Sequence, residues 1–145
     1  MILRTVKQKK IGKTHLSVIR GIVPEGWRLP TFDDWLDLIE YLDVDSGTKL
    51  KSRIGWSNFN NLEIGSVVSG NGNDEVFFNC LPRGFNSTVG SFYGDNNIGK
   101  LACFWCTKEV SESFAWNFSI HYSLNIVSKS IIGKADGASI RCIKC

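Results

Sequence analysis

The chain has 145 residues, of which 43% are hydrophobic and 21% are charged, and its formal net charge is +3 at pH 7. This length and composition predict a single soluble domain with enough large side chains to build a core. They exclude a helix that spans a membrane, because no stretch of the chain approaches the roughly eighteen apolar residues that such a helix needs. We therefore expect no membrane insertion.

The positive charge is concentrated at the start of the chain. Residues 1–20 contain no acid, and their bases are Arg4, Lys7, Lys9, Lys10, Lys13 and Arg20. We expect a solvated basic strand or arm and no nucleic-acid partner, because no aromatic residue is interleaved with these bases. The first residues do not read as a secretory signal peptide, since no apolar run follows the charges.

One amphipathic helix is predicted from Thr31 to about Val44. Thr31 can cap this helix, and Asp34 lies three residues later, as a capping box requires. Apolar residues then recur at the spacing of one helical face: Trp35, Leu38, Ile39 and Leu42. This stripe predicts a face that packs on the core. A short second helix is predicted at residues 46–52.

The middle of the chain, from Ile54 to about Lys100, has no regular periodicity and is rich in glycine and asparagine. Phenylalanines such as Phe78 and Phe85 argue against disorder, so we expect a long ordered loop region. After Lys100 the pattern predicts a small antiparallel sheet with strands at Leu101–Thr107, Phe114–His121, Asn125–Ser130 and Ala138–Ile143. The whole pattern is that of an α+β protein.

Five cysteines cannot all pair within one chain. Cys103-x-x-Cys106 and Cys142-x-x-Cys145 have the spacing of a zinc site. Both pairs fall in predicted strands, however, where residues three apart point to opposite faces. Buried free thiols are the favoured interpretation, and the alternatives are a disulfide, a zinc site, and a redox or catalytic thiol.

Catalysis finds little support in the sequence. His15 and His121 are the only histidines, and His121 is expected beside Asn117 on the polar face of a strand. Neither a nucleophile elbow nor a phosphate-binding loop is present, so we predict no enzymatic activity and no cofactor. The densest set of potential calcium ligands is Asn71, Asn73, Asp74 and Glu75. A glycine-assisted turn, in which such side chains bond their own backbone, is the favoured interpretation of these residues.

Binding is the remaining class of function. Aromatic rings beside amides and acids, in residues 56–61 and 92–97, are typical of surfaces that bind a glycan or a protein. We predict that loops 56–75 and 86–99 form a ligand face. Its contact residues would be Trp56, Asn58, Asn60, Tyr93, Asp95 and Asn97. The alternative is that Trp56, Phe59 and Phe92 anchor these loops to the core.

Several short motifs occur in a characteristic order along the chain. They are Gly26-Trp-Arg-Leu-Pro-Thr31, Gly47-Thr-Lys-Leu-Lys-Ser52, Gly70-Asn-Gly-Asn-Asp-Glu75, Leu81-Pro-Arg-Gly-Phe85, Phe104-Trp-Cys-Thr107 and Ser139-Ile-Arg-Cys-Ile-Lys144. Between Gly21 and Lys144, this ordered set resembles the Fibrobacter succinogenes major paralogous domain, a family of bacterial surface modules.

The resemblance implies a C-type-lectin-like fold over residues 1–145, with a basic strand or arm at 1–20 and a family-like core at 21–144. It implies that the first and last strands lie side by side. It also implies a bacterial adhesion or recognition module that binds a glycan or protein ligand, outside the cell or on its surface. The alternative is a structural subunit or decoration of a larger surface or phage-like assembly, including a homo-oligomer. The same fold class includes an oxidase branch similar to formylglycine-generating enzyme, but this chain is much shorter.

The chain departs from the family pattern at one cysteine. Family members commonly read Cys-Pro-x-Gly-Trp at the front, and the resemblance implies a disulfide from that cysteine to the position of Cys142. Here Val23 takes the front position. We therefore expect either that packing alone holds the two ends together, or that Cys142 pairs with Cys145, Cys103 or Cys106.

Overall fold

The computed structural model describes residues 4–6, 23–87 and 97–145 of the chain. Its elements, in chain order, are β1 (Arg4–Val6), β2 (Trp27–Arg28), α1 (Phe32–Leu42), α2 (Ser46–Leu50), β3 (Phe59–Asn61), β4 (Ser66–Val68), β5 (Leu101–Glu109), β6 (Phe114–His121), β7 (Val127–Gly133) and β8 (Ile140–Lys144). The predicted α+β class is confirmed. Neither helix in these ranges is long and apolar enough to cross a membrane.

Helix α1 begins as its sequence predicts. The Thr31 hydroxyl accepts a hydrogen bond from the Asp34 amide at 3.0 Å, and the Asp34 carboxylate accepts one from the Thr31 amide at 2.7 Å. These two bonds form the predicted capping box. The helix ends at Asp43, which takes a positive φ of 55° that no longer continues a right-handed helix. Within the apolar stripe Trp35 and Leu42 are fully buried.

Within the described residues the strands form three antiparallel sheets, ordered β5-β6-β7, β1-β8-β2 and β3-β4. The predicted proximity of the first and last strands is confirmed, with Arg4 opposite Cys142 and Val6 opposite Ile140. Strand β7 begins two residues later than predicted. The reason is that the Asn125 carbonyl accepts hydrogen bonds from the amides of Gly47 and Thr48, at the start of α2, instead of joining the sheet.

The sheet β5-β6-β7 is covered on both faces. One face contributes Phe104, Cys106, Phe118 and Ile120 to a core shared with α1, α2 and the loop region. The other face contributes Cys103, Trp105 and Ala115 to a second core with Leu29 and β8. Residues of a strand alternate between its two faces, so β6 has no polar, solvated side.

One prediction is therefore wrong. Asn117 was expected on a polar face of its strand, but only 1% of its surface is exposed. It lies opposite Trp105 on the face covered by the second core, and its side-chain oxygen accepts a hydrogen bond from the Ser130 hydroxyl at 2.5 Å. This bond satisfies part of the hydrogen-bonding capacity of the buried amide.

Candidate recognition surfaces

Two segments of the loop region, residues 51–57 and 69–82, are built into the core; we call them the anchored loops. The Ser52 amide donates to the Cys80 carbonyl at 2.9 Å, and the Gly72 amide donates to the Ser52 carbonyl at 3.0 Å. The Lys51 ammonium donates to the carbonyls of Tyr122 and Leu124, and burial lowers its pKa to about 8. The Cys80 amide also donates to the Leu50 carbonyl of α2 at 2.9 Å, so these bonds fix the anchored loops to α2 and to the turn after β6.

Trp56 is an anchor and not a surface residue. Only 5% of its surface is exposed, and its indole N–H donates to the Cys80 carbonyl at 3.0 Å and to the Ser52 hydroxyl at 3.2 Å. Its backbone amide donates to the side-chain oxygen of Asn71 at 2.9 Å. The alternative interpretation, in which this ring attaches the loop to the core, therefore describes Trp56. A ligand cannot reach the ring, so we do not propose Trp56 as a contact residue.

Between the anchored loops, strands β3 and β4 form a hairpin connected by residues 62–65. The Asn61 side-chain oxygen accepts hydrogen bonds from the amides of Glu63 at 3.0 Å and Ile64 at 3.4 Å, which fixes the turn from within. Gly65 follows with a φ of +62°, a conformation that glycine adopts without strain. At the base, the Phe59 ring packs edge-on against Tyr122. The hairpin therefore has a defined shape and projects from a fixed base.

The hairpin presents apolar side chains to solvent. Leu62 is 93% exposed, Ile64 is 65% exposed and Val67 is 66% exposed. We call these three residues the hairpin surface. Asn60, directly opposite Val67 in the register, is also exposed, as is Asn58 just before the hairpin. Sequence reasoning missed Leu62 and Ile64, although apolar residues enclosed between Asn61 and Gly65 in a turn were a usable signal.

The remaining predicted contact residues lie in the predicted loop at residues 86–99. Asn97 is half-buried in the turn at residues 97–100. This turn adjoins the hairpin base, because the Ser57 amide donates to the Gly99 carbonyl at 2.7 Å. Tyr93 and Asp95 lie outside the described residues, as does Phe92. The structure thus brings Asn58 and Asn60 near the turn at residues 97–100, and Trp56 lies in the core.

A concave surface lies beside α1, apart from the hairpin. It is a cleft of about 490 Å³ between α1, residues 76–78 and β8. Asp37, Leu38 and Tyr41 line it from the helix, and Val76 lines it from the loop. Arg141 forms its floor. Only 6% of Arg141 is exposed, and its guanidinium lies 4.1 Å from the centre of the Phe78 ring and donates to the Phe78 carbonyl.

Four of the five thiols are buried and none is in a disulfide, which confirms the favoured interpretation for Cys80, Cys103, Cys106 and Cys142. Cys145 is exposed, so that interpretation is wrong for it. Burial raises the pKa of the Cys103 thiol to about 12, and it raises the pKa of the other three buried thiols as well. Cys142 has no bridge to the front of the chain; strand pairing of β8 with β1 and β2 joins the ends instead.

The positions of the candidate ligands bear on the zinc and calcium hypotheses. Cys103 and Cys106 belong to different cores on opposite faces of β5, so they cannot share one metal ion. Over the part of the chain that the structure describes, no cluster of three metal-ligating side chains occurs. The candidate calcium oxygens are used inside the loop: Asn71 accepts from the Trp56 amide, and Asp74 accepts from the Asn79 amide at 2.6 Å.

His121 is half-buried at the end of β6. Its Nδ1 lies 2.8 Å from the Ser123 hydroxyl, within hydrogen-bond distance. Burial lowers its pKa, and the positive charges of Lys51 and Lys100 lower it further. His121 is therefore hydrogen-bonded and half-buried at the end of its strand, and it does not lie on a fully polar face.

The family model described as the Fibrobacter succinogenes major domain matches residues 9–144. The chain therefore belongs to this family, as its ordered motifs predicted. Neither the curated proteins nor the solved structures contain a match to the chain.

Proposed function

We propose that this protein is a non-catalytic recognition module of the bacterial cell surface, and that it binds a protein partner through the hairpin surface. The observation that carries the proposal is the projection of Leu62, Ile64 and Val67 from a hairpin whose base is attached to the core. Grouped exposed apolar side chains mark sites of protein contact more often than isolated ones do. Asn58 and Asn60 supply the polar rim that such sites need.

The chemistry of this surface favours a protein over a glycan. Sugars stack on exposed aromatic rings, but the ring of Trp56 is buried and that of Phe59 packs against Tyr122. The exposed hairpin side chains are aliphatic, and aliphatic side chains gain most from insertion into an apolar pocket of another protein. The hairpin turn is already fixed by Asn61, so binding would order few additional bonds.

The C-type-lectin-like fold is part of the proposal. It is supported by the pairing of β1 with β8, by the capped helix α1, and by a loop region that leaves the core and returns to it. In this arrangement the joined chain ends lie at the base, and the loops are free to carry contact residues.

The absence of catalysis is proposed on the chemistry of the thiols. Only the thiolate is a strong nucleophile, and a raised pKa keeps a thiol protonated at neutral pH. Burial raises the pKa of Cys80, Cys103, Cys106 and Cys142. These residues therefore suit packing better than reaction.

A double substitution, Leu62→Ser with Ile64→Ser, tests the proposed binding surface. The matched control is Val110→Ser, which changes an aliphatic residue of 48% exposure in the turn between β5 and β6. Each purified protein is immobilised and exposed to a surface-protein extract of the producing bacterium and to a glycan array. We expect the wild type and the control to capture the same protein. The double variant should capture it at least roughly tenfold less, because two apolar anchors are lost.

Unchanged melting temperatures of all three proteins would show that the loss is not a folding defect. Capture of the partner by the double variant at wild-type strength would refute the proposal. So would binding to glycans alone that is insensitive to the double substitution.

A structural role in a larger surface assembly is the competing function. The same exposed aliphatic surface can join copies of the chain, as well as a different protein. Sedimentation velocity separates the two functions. Concentration-dependent oligomers of the wild type that disappear in the double variant would assign the hairpin surface to assembly, whereas a monomer in both proteins supports recognition of another protein.

A further inference from the structure

The cleft beside α1 is lined by an edge of that helix that shares Leu38 with the stripe that packs on the core. Asp34, Asp37 and Tyr41 follow one another at spacings of three and four residues, and Leu38 lies four residues after Asp34 and three before Tyr41. All four therefore lie on one side of the helix. Asp34 is already paired: Arg28 donates to both of its carboxylate oxygens and holds the pKa of that carboxyl well below its usual range. Its charge is therefore compensated within the chain.

Asp37 and Tyr41 are not compensated in this way. They lie one helical turn apart, both are exposed, and 79% of Tyr41 is accessible to solvent. Among the described residues, neither side chain makes a hydrogen bond, an ion pair or a ring contact. A carboxylate and an aromatic ring at this spacing present two groups that attract a cation from the same side.

The rest of the cleft suits the stem that carries such a cation. Leu38 and Val76 line opposite sides of the cleft with apolar surface. Lysine and arginine side chains place their methylene groups along apolar surface while the charged end remains near water. The cleft thus offers a place for the stem between these walls and a place for the charge at the rim.

The distribution of charge around the cleft determines the sign of its ligand. Helix α1 carries Asp33, Asp34, Asp37 and Glu40 and no base. Arg141 at the floor is positive, so a cation is repelled from the bottom of the cleft and attracted to its rim. An anionic peptide would meet the helix acids before it reached Arg141. Complementarity therefore favours a basic ligand.

We propose that this cleft binds a basic peptide segment of a partner protein, with a lysine or arginine charge between Asp37 and Tyr41 and apolar neighbours against Leu38 and Val76. This inference is independent of the hairpin surface. It assigns the molecule a second contact that differs from the hairpin in shape and charge.

Amide NMR spectra of the ¹⁵N-labelled full chain test the proposal with two synthetic peptides. The probe is acetyl-Gly-Leu-Lys-Leu-Lys-Gly-amide, and its matched control carries glutamate in place of each lysine. We expect the lysine peptide to shift the amides of residues 37–41 and 76–78 in a saturable way, with weaker binding as salt is raised. The glutamate peptide should leave these amides unchanged.

Two variants test where the charge binds in the cleft, and a third serves as a control. Asp37→Asn and Tyr41→Ala should each weaken the lysine peptide roughly two- to fivefold, the range expected for one exposed ion pair or one exposed cation–π contact. Asp45→Asn removes an exposed acid that does not line the cleft, at a φ of 60° that asparagine tolerates, and should change nothing. The double variant of the hairpin surface should bind the peptide as the wild type does.

Equal binding of the glutamate peptide would overturn the proposal, as would an absence of saturable shifts at the cleft. Unchanged affinity in both Asp37→Asn and Tyr41→Ala would also overturn it. Both substituted side chains are exposed, so a melting temperature near that of the wild type is expected and checks that each variant is folded.

Discussion

The anchored loops and the hairpin between them belong to one continuous loop region of the sequence. The anchored loops are packed into the core, whereas the hairpin extends away from it. The anchored loops donate backbone hydrogen bonds to one another and to α2, and they bury Trp56 almost completely. The hairpin closes its own turn through Asn61 and leaves Leu62 in solvent. Under the proposed function, stability and recognition belong to different residues a few positions apart. We therefore expect changes in the hairpin surface to alter binding without loosening the fold.

The largest expected contrast is between Trp56 and the hairpin surface. Trp56→Ala removes a buried ring and two indole hydrogen bonds, and should lower the free energy of unfolding by about 3–5 kcal/mol. The double substitution of Leu62 and Ile64 by serine should change the same quantity by no more than about 0.5 kcal/mol. Urea denaturation of the three proteins measures both effects. Similar losses in the two variants would remove the distinction between anchored and projecting parts.

Two glycines sharpen the same contrast. A Cβ at Gly72, in an anchored loop, would lie 2.2 Å from the Thr48 carbonyl oxygen, so Gly72→Ala should cost about 1–3 kcal/mol of stability through overpacking. A Cβ at Gly65, in the hairpin, meets nothing within 4 Å, and the cost of Gly65→Ala comes only from its positive φ, about 1 kcal/mol.

Asparagine tells the two mechanisms apart. Since asparagine tolerates a positive φ, Gly65→Asn should recover much of the loss, whereas Gly72→Asn should be at least as destabilising as Gly72→Ala. Recovery at Gly72 instead would show that the anchored loop is not tightly packed there.

Alkaline pH should lower the free energy of unfolding. The thiols of Cys80 and Cys103 have raised pKa values in the folded state, so their contribution to stability is present below the ordinary pKa of 9.0 and is lost as pH rises above it. Well above pH 9, the loss that each such thiol contributes approaches about 1.4 kcal/mol per pH unit. Lys51 acts in the opposite sense between its folded pKa of about 8 and its ordinary value of 10.5.

The four buried thiols outnumber Lys51, so the free energy of unfolding should fall by on the order of 1 kcal/mol between pH 9 and pH 10. Urea denaturation at these two values checks the sign, and Cys145→Ser, at an exposed thiol, is the matched control. A free energy of unfolding that stays constant or rises would contradict the burial of these thiols.

The sequence predicts local structure well where the cause is local. The capping box of Thr31 and Asp34 and the stripe through Trp35 and Leu42 depend on residues within one helix, and α1 follows both. Strand β6 has the predicted bounds because its alternating pattern is long and is bounded by turns. The ordered motifs carried the family assignment for the same reason, since each motif is contiguous.

Features that depend on distant segments could not be predicted in this way. Asn117 alternates with apolar residues and so resembles a surface position, but β8 and Leu29 cover that face. The burial of Trp56 depends on a carbonyl 24 residues away. Tyr41 belongs to no apolar stripe, and its place beside a cleft depends on where residues 76–78 return to the helix.

Hydrogen exchange of the free protein, followed amide by amide, tests most directly whether the loop region is divided as described. Slow exchange at Ser52, Gly72 and Cys80, together with fast exchange at Leu62, is the result that this division predicts, because the first three amides donate to core carbonyls and the fourth lies at an exposed turn. Equally fast exchange at all four amides, or equal protection of Leu62, would contradict it.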